Sequence, residues 1–156
     1  MTPINSHEET ITSYYEHDHD RLDDLFKKFQ SLKKTEFNTA KEFFFQFKTG
    51  LERHIRWEEE ILFPLFEEKT GMKNNGPTAV MKMEHRAIEK YLVAIFEKVN
   101  SGNTTTDDDE QMLLNTLGMH NEKEEQILYP MIDRSIIEQE KEIVFKMMEN
   151  TADVRS

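Results

Sequence analysis

The chain contains no cysteine. That absence excludes disulfides, iron–sulfur ligation and thiolate zinc sites, and it fits a reducing compartment, so the expected location is cytoplasmic. Glycine and proline are scarce, 5 and 4 in 156 residues, which disfavours both a turn-rich β architecture and a disordered chain. Long apolar runs are missing. No window approaches the ~20 residues that a membrane span needs, and the polar first nine residues show no leader pattern. Positive charge is also in deficit, with 20 Lys and Arg against 31 Asp and Glu, a net charge of −11. Such a surface repels phosphate backbones and anionic lipid, so neither nucleic acid nor membrane is an expected partner. The length suits one continuous core.

What the chain has is helical periodicity. Four amphipathic segments, at about residues 11–34, 39–68, 77–99 and 106–131, place apolar residues at alternating three- and four-residue steps. Their predicted inward stripes are Tyr15, His19, Leu22, Phe26 and Phe29; Phe44, Phe47, Leu51, His54, Glu58, Ile61 and Leu65; Met81, His85, Ile88, Leu92, Ile95 and Val99; and Leu113, Leu117, His120, Glu124, Ile127 and Met131. Thr39 and Glu42 suggest a capping box, Pro77 suits a first helical turn, and Asp107 to Asp109 suit a helix start. Pro64 and Pro130 predict a kink or an early stop. A shorter helix, about 135–150, is expected to pack outside through Ile136, Ile137, Val144 and Met147, with loose ends at 1–10 and 151–156. The predicted fold class is all-α: an up-down-up-down four-helix bundle with a short extra C-terminal helix, one domain over 1–156 with its core at about 11–133.

Polar residues interrupt these stripes in a repeating way. His19 to His54 and His85 to His120 each span 35 residues, and His19 to His85 and His54 to His120 each span 66. Glu58 and Glu124 obey the same 66-residue shift, four residues after a histidine each time. The text around them repeats too, as His54-x3-Glu58-Glu59-x2-Leu62-Phe63-Pro64 and His120-x3-Glu124-Glu125-x2-Leu128-Tyr129-Pro130. Burying an ionised carboxylate among leucines is costly unless it is paired or bound to a metal. Helical i, i+4 spacing puts His and Glu on adjacent turns of one face, about 6 Å apart. Six donors of imidazole and carboxylate type are too many for one tetrahedral zinc and suit two metals sharing carboxylates. The donor set suits iron, manganese, zinc, cobalt or nickel, and argues against an all-oxygen calcium or magnesium site.

With Asp18-His19-Asp20-Arg21-Leu22 and Glu84-His85 added, this text resembles the hemerythrin-like family, the histidine–histidine–glutamate cation-binding domains. The resemblance implies a four-helix bundle around an oxo- or hydroxo-bridged di-iron centre. It implies that His19 and His54 ligate one iron, His85 and His120 the other, and that Glu58 and Glu124 bridge. The chain departs from the oxygen-carrying hemerythrins. Met81 and Glu89 stand where those proteins have a further histidine on the third helix, and the last motif is His-x3-Glu instead of ending in aspartate. Glu89 and Asp23, related by the 66-residue shift, are candidate additional ligands. Glu59 and Glu125 read most simply as a solvated face and, because they repeat, as candidates to hold ligand histidines from outside. Tyr15, one turn before His19, reads first as a core aromatic and second as a donor to a metal-bound group. Met81 and Met119 are expected near enough the centre to be oxidised. His17, two residues from His19, is expected on the surface.

The implied ligands are small molecules, dioxygen, peroxide or nitric oxide, bound or turned over by a monomer or weak homodimer. An iron- or oxygen-sensing or storage module without turnover is the alternative, and a hydrolytic zinc or manganese site is a third reading. Whether the chain is an enzyme stays open at the level of sequence.

Overall fold

Residues 3–151 are described by a computed structural model. They form an all-helical bundle, with no strand among them. The helices are α1 (Ile11–Leu32), α2 (Phe37–Arg56), α3 (Phe63–Thr70), α4 (Pro77–Asn100), α5 (Asp107–Lys123), α6 (Tyr129–Ser135) and α7 (Glu138–Glu149). Two π-helical turns join them without a break: π1 (Trp57–Leu62) links α2 to α3, and π2 (Glu124–Leu128) links α5 to α6. The segment expected at 39–68 is thus one rod, α2–π1–α3, and the segment expected at 106–131 is the rod α5–π2–α6.

Helix starts follow local chemistry, with one correction. Thr10 and Ser13 close a capping box on α1. Asp133, from α6, also accepts the N–H groups of Ile11 and Thr12 at 2.9 and 3.0 Å, so a carboxylate remote in sequence satisfies the positive end of α1. Four acidic residues, Asp107 to Glu110, fill the first turn of α5. The capping box predicted from Thr39 and Glu42 does not form, because α2 begins two residues earlier, behind Glu36, without a side-chain cap.

The rods stop shortly after their prolines, α3 at Thr70 and α6 at Ser135. Pro64 and Pro130 lie in the first turns of α3 and α6. The π turns just before them are closed by Phe63 N–H donating to Glu58 C=O and Tyr129 N–H donating to Glu124 C=O. Each π turn carries one extra residue, and the buried stripe moves on by one position beyond it. Ile61 and Leu65 are only half-buried, whereas Leu62, Phe63 and Phe66 are buried. Ile127 is 57% exposed and Met131 half-buried, whereas Leu128, Tyr129 and Ile132 are buried. π turns concentrate at functional positions, and these two start beside the repeated glutamates.

Two apolar clusters flank a polar layer. One holds Leu22, Phe26, Phe29, Phe44, Phe47, Leu51, Ile88, Leu92, Ile95, Leu113 and Leu117. Its rings pack tilted, Phe26 on Phe47 at 4.7 Å and Phe29 on Phe44 at 5.2 Å between centroids. The other joins Ile11, Tyr15, Trp57, Leu62, Phe63, Phe66, Met81, Leu128, Tyr129 and Ile132 to Val144, Phe145 and Met148 of α7. Burying each such side chain contributes about 1.5–3 kcal/mol, so the two clusters hold the layer between them in register. α7 uses Val144, Phe145 and Met148, not the expected Ile137 and Met147, which are 57% and 48% exposed. The start of the chain is less loose than expected, since Ile4 N–H donates to Glu149 at 2.6 Å. Residues 1, 2 and 152–156 of the expected loose ends lie outside the described residues.

Candidate metal centre

The polar layer is where the histidine repeat lands. On α1 His19 falls between Tyr15 of one apolar cluster and Leu22 of the other, and on α4 His85 falls between Met81 and Ile88. His54 lies buried in the last turn of α2, and His120 in that of α5, one turn before Glu58 and Glu124. All six side chains are at most 3% exposed. Their donor atoms gather in two groups, each within 4.8 Å: Glu58, His85, His120 and Glu124; and His19, His54 and Glu124.

The two carboxylates stand between the groups. Glu58 sets Oε1 3.0 Å from His85 Nε2 and Oε2 3.7 Å from His54 Nε2. Glu124 sets Oε1 3.2 Å from both His19 Nε2 and His120 Nε2. All four histidines therefore turn Nε2 inward. They do so because a carboxylate holds every Nδ1 from outside: Glu125 holds His19 at 2.7 Å, Asp18 holds His54 at 2.8 Å, Glu59 holds His85 at 2.6 Å and Glu84 holds His120 at 2.9 Å. Such a partner selects the tautomer that leaves the inner nitrogen free to bind and raises its basicity.

These outer acids obey the 66-residue shift as well, Asp18 with Glu84 and Glu59 with Glu125. The roles expected of Glu59 and Glu125 are present. Asp18 and Glu84 were quoted in the sequence pattern without a role, and their signal was their place immediately before a repeated histidine. The outer acids are themselves braced, Asp18 by Arg21, Glu84 by Lys123 and Glu59 by Arg86. Glu125 instead faces an open groove of about 410 Å³, lined by Asp20, Asp23, Gly118 and Glu122 among others.

Electrostatics of the layer follow from packing acids against imidazoles. Burial opposes charge on His54, yet Glu58 and Asp18 raise its pKa to about 10. His85, also opposed by burial, rises to about 9 through Glu58 and Glu59. His120 is raised against burial by Glu124. Glu58 is held well below the usual carboxylate range, although burial pushes the other way.

The donor set fits a pair of metal ions. One buried oxygen, Glu124 Oε2, has no hydrogen-bond partner, and an orphaned carboxylate oxygen at this depth is what a cation would satisfy. Neither Glu89 nor Asp23 joins the two groups. Glu89 pairs with Arg86 at 3.0 Å and Asp23 lines the outer groove.

Of its two expected roles, Tyr15 takes that of a core aromatic. Tyr15 is buried, and its hydroxyl donates to Met148 Sδ at 3.3 Å. The phenol in the polar layer belongs to Tyr129, within 2.6 Å of Glu58 Oε2 and 2.9 Å of Glu124 Oε1. Its signal was the one position in the repeated text where tyrosine replaces phenylalanine, Phe63 against Tyr129. Met81 is buried, whereas Met119 is 67% exposed on the outer surface, where no wall of the centre needs it. His17 is exposed, as its spacing predicted.

Fold and site together define a helical bundle with a buried histidine–carboxylate cluster suited to cations. The chain belongs to the hemerythrin HHE cation-binding domain family, whose pattern matches residues 10–132. It is similar to the iron–sulfur cluster repair protein YtfE of Edwardsiella ictaluri (strain 93-146), 44% identical over 45 residues. That match covers 29% of this chain and 20% of the relative, so the chain spans a fifth of the curated protein it matches. No solved structure matches the chain. No helix among the described residues is long and apolar enough to cross a membrane.

Proposed function

We propose that this chain is a single hemerythrin-like domain, an up-down-up-down four-helix bundle capped by α7. In this reading it binds two irons and reacts with a small oxidant: dioxygen, peroxide or nitric oxide. The observation that carries the reading is the set of four inward Nε2 atoms around two shared carboxylates, with every outer Nδ1 held by an acid. His19 and His54 would hold one iron, His85 and His120 the other, and Glu58 and Glu124 would span both. Bound iron would supply redox chemistry and open coordination positions for a small ligand.

The chain's own residues supply the rest. Two imidazoles per metal leave the coordination sphere incomplete, and the fully buried Glu58, His85 and Glu124 leave access to small molecules only. Trp57, Phe63 and Leu128, all at most 1% exposed, keep bulk water from the layer. A large hydrolysable substrate has no way to reach these donors. The similarity over 45 residues to an iron–sulfur cluster repair protein supports a role in iron handling, to which this reading adds oxidative or nitrosative stress. A sensing or storage role is the second reading. It is favoured by the ion pairs and the Tyr129 phenol that satisfy most of the donors within the protein itself. Manganese or zinc are the alternative metals.

The test is anaerobic reconstitution with ferrous iron, a count of metal per chain, and absorption recorded as oxygen or peroxide is added. Two irons, a ferric spectrum on oxidation and sustained peroxide loss support an enzyme. Two irons with a single oxidation event support sensing or storage. One metal or none, or a preference for zinc, overturns the di-iron reading. His54→Ala and Glu124→Ala are each expected to lose metal, and full occupancy in either would overturn the ligand assignment.

A further inference from the structure

The two halves of the centre are related by the 66-residue shift in every histidine, every inner glutamate and every outer acid, but not at one position. Where the first half has Phe63, stacked on the His85 ring with planes 4° apart and centroids 6.1 Å apart, the second has Tyr129. The Tyr129 oxygen lies 2.6 Å from Glu58 Oε2, 2.9 Å from Glu124 Oε1, 3.2 Å from His54 Nε2 and 3.3 Å from His19 Nε2. Four donor atoms thus surround one phenol oxygen, and no such oxygen stands before His85 and His120.

Resting on the di-iron reading, we infer that Tyr129 competes with a metal ion for the position between His19 and His54, so that the two positions load unequally. Nitrogen and oxygen ligands hold a small cation at about 2.0–2.2 Å. A cation serving His19, His54 and the two carboxylates would need the space that the phenol oxygen holds at 2.6–3.3 Å. The phenol must give up the O–H hydrogen bond it donates to a charged carboxylate, Glu58 Oε2 at 2.6 Å being the nearer, before that position fills, and such bonds are among the stronger ones in proteins. At the other position the ring of Phe63 has no oxygen to displace. The pair His85 and His120 therefore loads first, and the pair His19 and His54 follows at higher metal concentration. The asymmetry comes from one side chain, delivered by π2 onto the face of Glu124.

Cobalt(II) titrated into the metal-free full chain, followed by equilibrium dialysis and by the d–d absorption of the bound ion, tests this. The wild type is expected to bind two ions with affinities at least about tenfold apart, the scale of one displaced hydrogen bond. Tyr129→Phe is expected to tighten the weaker step and bring the two within about threefold, with helicity unchanged by circular dichroism. Phe63→Tyr, which adds a phenol to the other half, is expected to weaken the tighter step. An unchanged separation in Tyr129→Phe overturns the competition and leaves the metal centre standing. A weaker second step in Tyr129→Phe also overturns it, since the phenol would then be a ligand. Failure of all three proteins to bind cobalt overturns the metal-binding reading and this inference together.

Discussion

Asp18 grips Nδ1 of His54 from 2.8 Å, across the interface of α1 and α2, and the geometry is repeated 66 residues later by Glu84 on His120 at 2.9 Å. In both cases the residue next to one histidine orients the other histidine of the same half. His19 and His85 are held instead from the opposite half, by Glu125 at 2.7 Å and Glu59 at 2.6 Å, so all four imidazoles point inward only once the two halves have docked.

Removing such a partner should be felt at one metal. Asp18→Asn and Glu84→Gln keep the shape but weaken the hold on the ring, and losses of about 10–100-fold in metal affinity are typical of such partners. Asp18→Asn is expected to weaken the ion at His54, and Glu84→Gln the ion at His120, with the other ion retained in each. Stepwise metal titration checks this. Equal loss at both positions would show that the halves are not independent.

The pH dependence of the metal-free protein has a definite sign. His54 and His85 are raised from 6.5 to about 10 and about 9 by their carboxylate neighbours. The folded state therefore binds protons that the unfolded chain releases near 6.5. The stabilisation is fully present below about 6.5 and is lost as pH rises through about 9 to 10. Urea unfolding of metal-free protein at pH 6, 8 and 10 should show falling stability. Metal must displace the same protons, so apparent metal affinity should rise with pH. Stability that is flat or rising over this range would contradict the pairing.

At the other end of the bundle, Lys33 is 4% exposed and its ammonium donates to Asp107 and Glu110, with Thr106 at 3.3 Å. Glu110 is itself 3% exposed and also accepts from Gln30 at 2.9 Å. Lys33→Ala would leave a buried carboxylate without its cation, a change that costs about 3–5 kcal/mol. Lys33 lies fourteen residues along α1 from His19, about 21 Å at helical rise. Denaturant unfolding should therefore show the loss while metal stoichiometry stays unchanged.

Gly118 sits inside α5 with nothing within 4 Å of where a Cβ would stand. Gly118→Ala should stabilise the protein by about 0.5–1 kcal/mol, through a helix interior that no longer carries glycine's backbone entropy. Gly50 makes the contrast, because a Cβ there would lie 2.7 Å from Leu22 Cδ2, where α1 and α2 approach closely. Thermal melts of the two alanine variants should separate, Gly118→Ala above the wild type and Gly50→Ala below Gly118→Ala.

Much of the molecule was legible in the chain because helix period is a local property. The buried stripes of α1 and α4 match the apolar steps, since nothing interrupts 3.6 residues per turn in either helix. The repeat of imidazole and carboxylate at 35 and 66 residues already implied a paired site. Beyond Glu58 and Glu124 the same reasoning went astray at Ile61, Leu65 and Ile127. A π turn inserts one residue into the period just ahead of Pro64 and of Pro130.

That insertion also hid Tyr129. On an uninterrupted α-helix a residue five places after Glu124 would point about 140° away from it, but the i→i+5 turn of π2 returns it to the same face. The amino-acid order by itself determined a helical bundle, its two-fold internal repeat and the six inward donors, because these depend on spacing along each helix. Only the tertiary structure decided which acid holds which histidine, where α7 docks, and that the Tyr129 phenol reaches Glu58 and Glu124. Those depend on distances between helices, which no periodicity within a helix encodes.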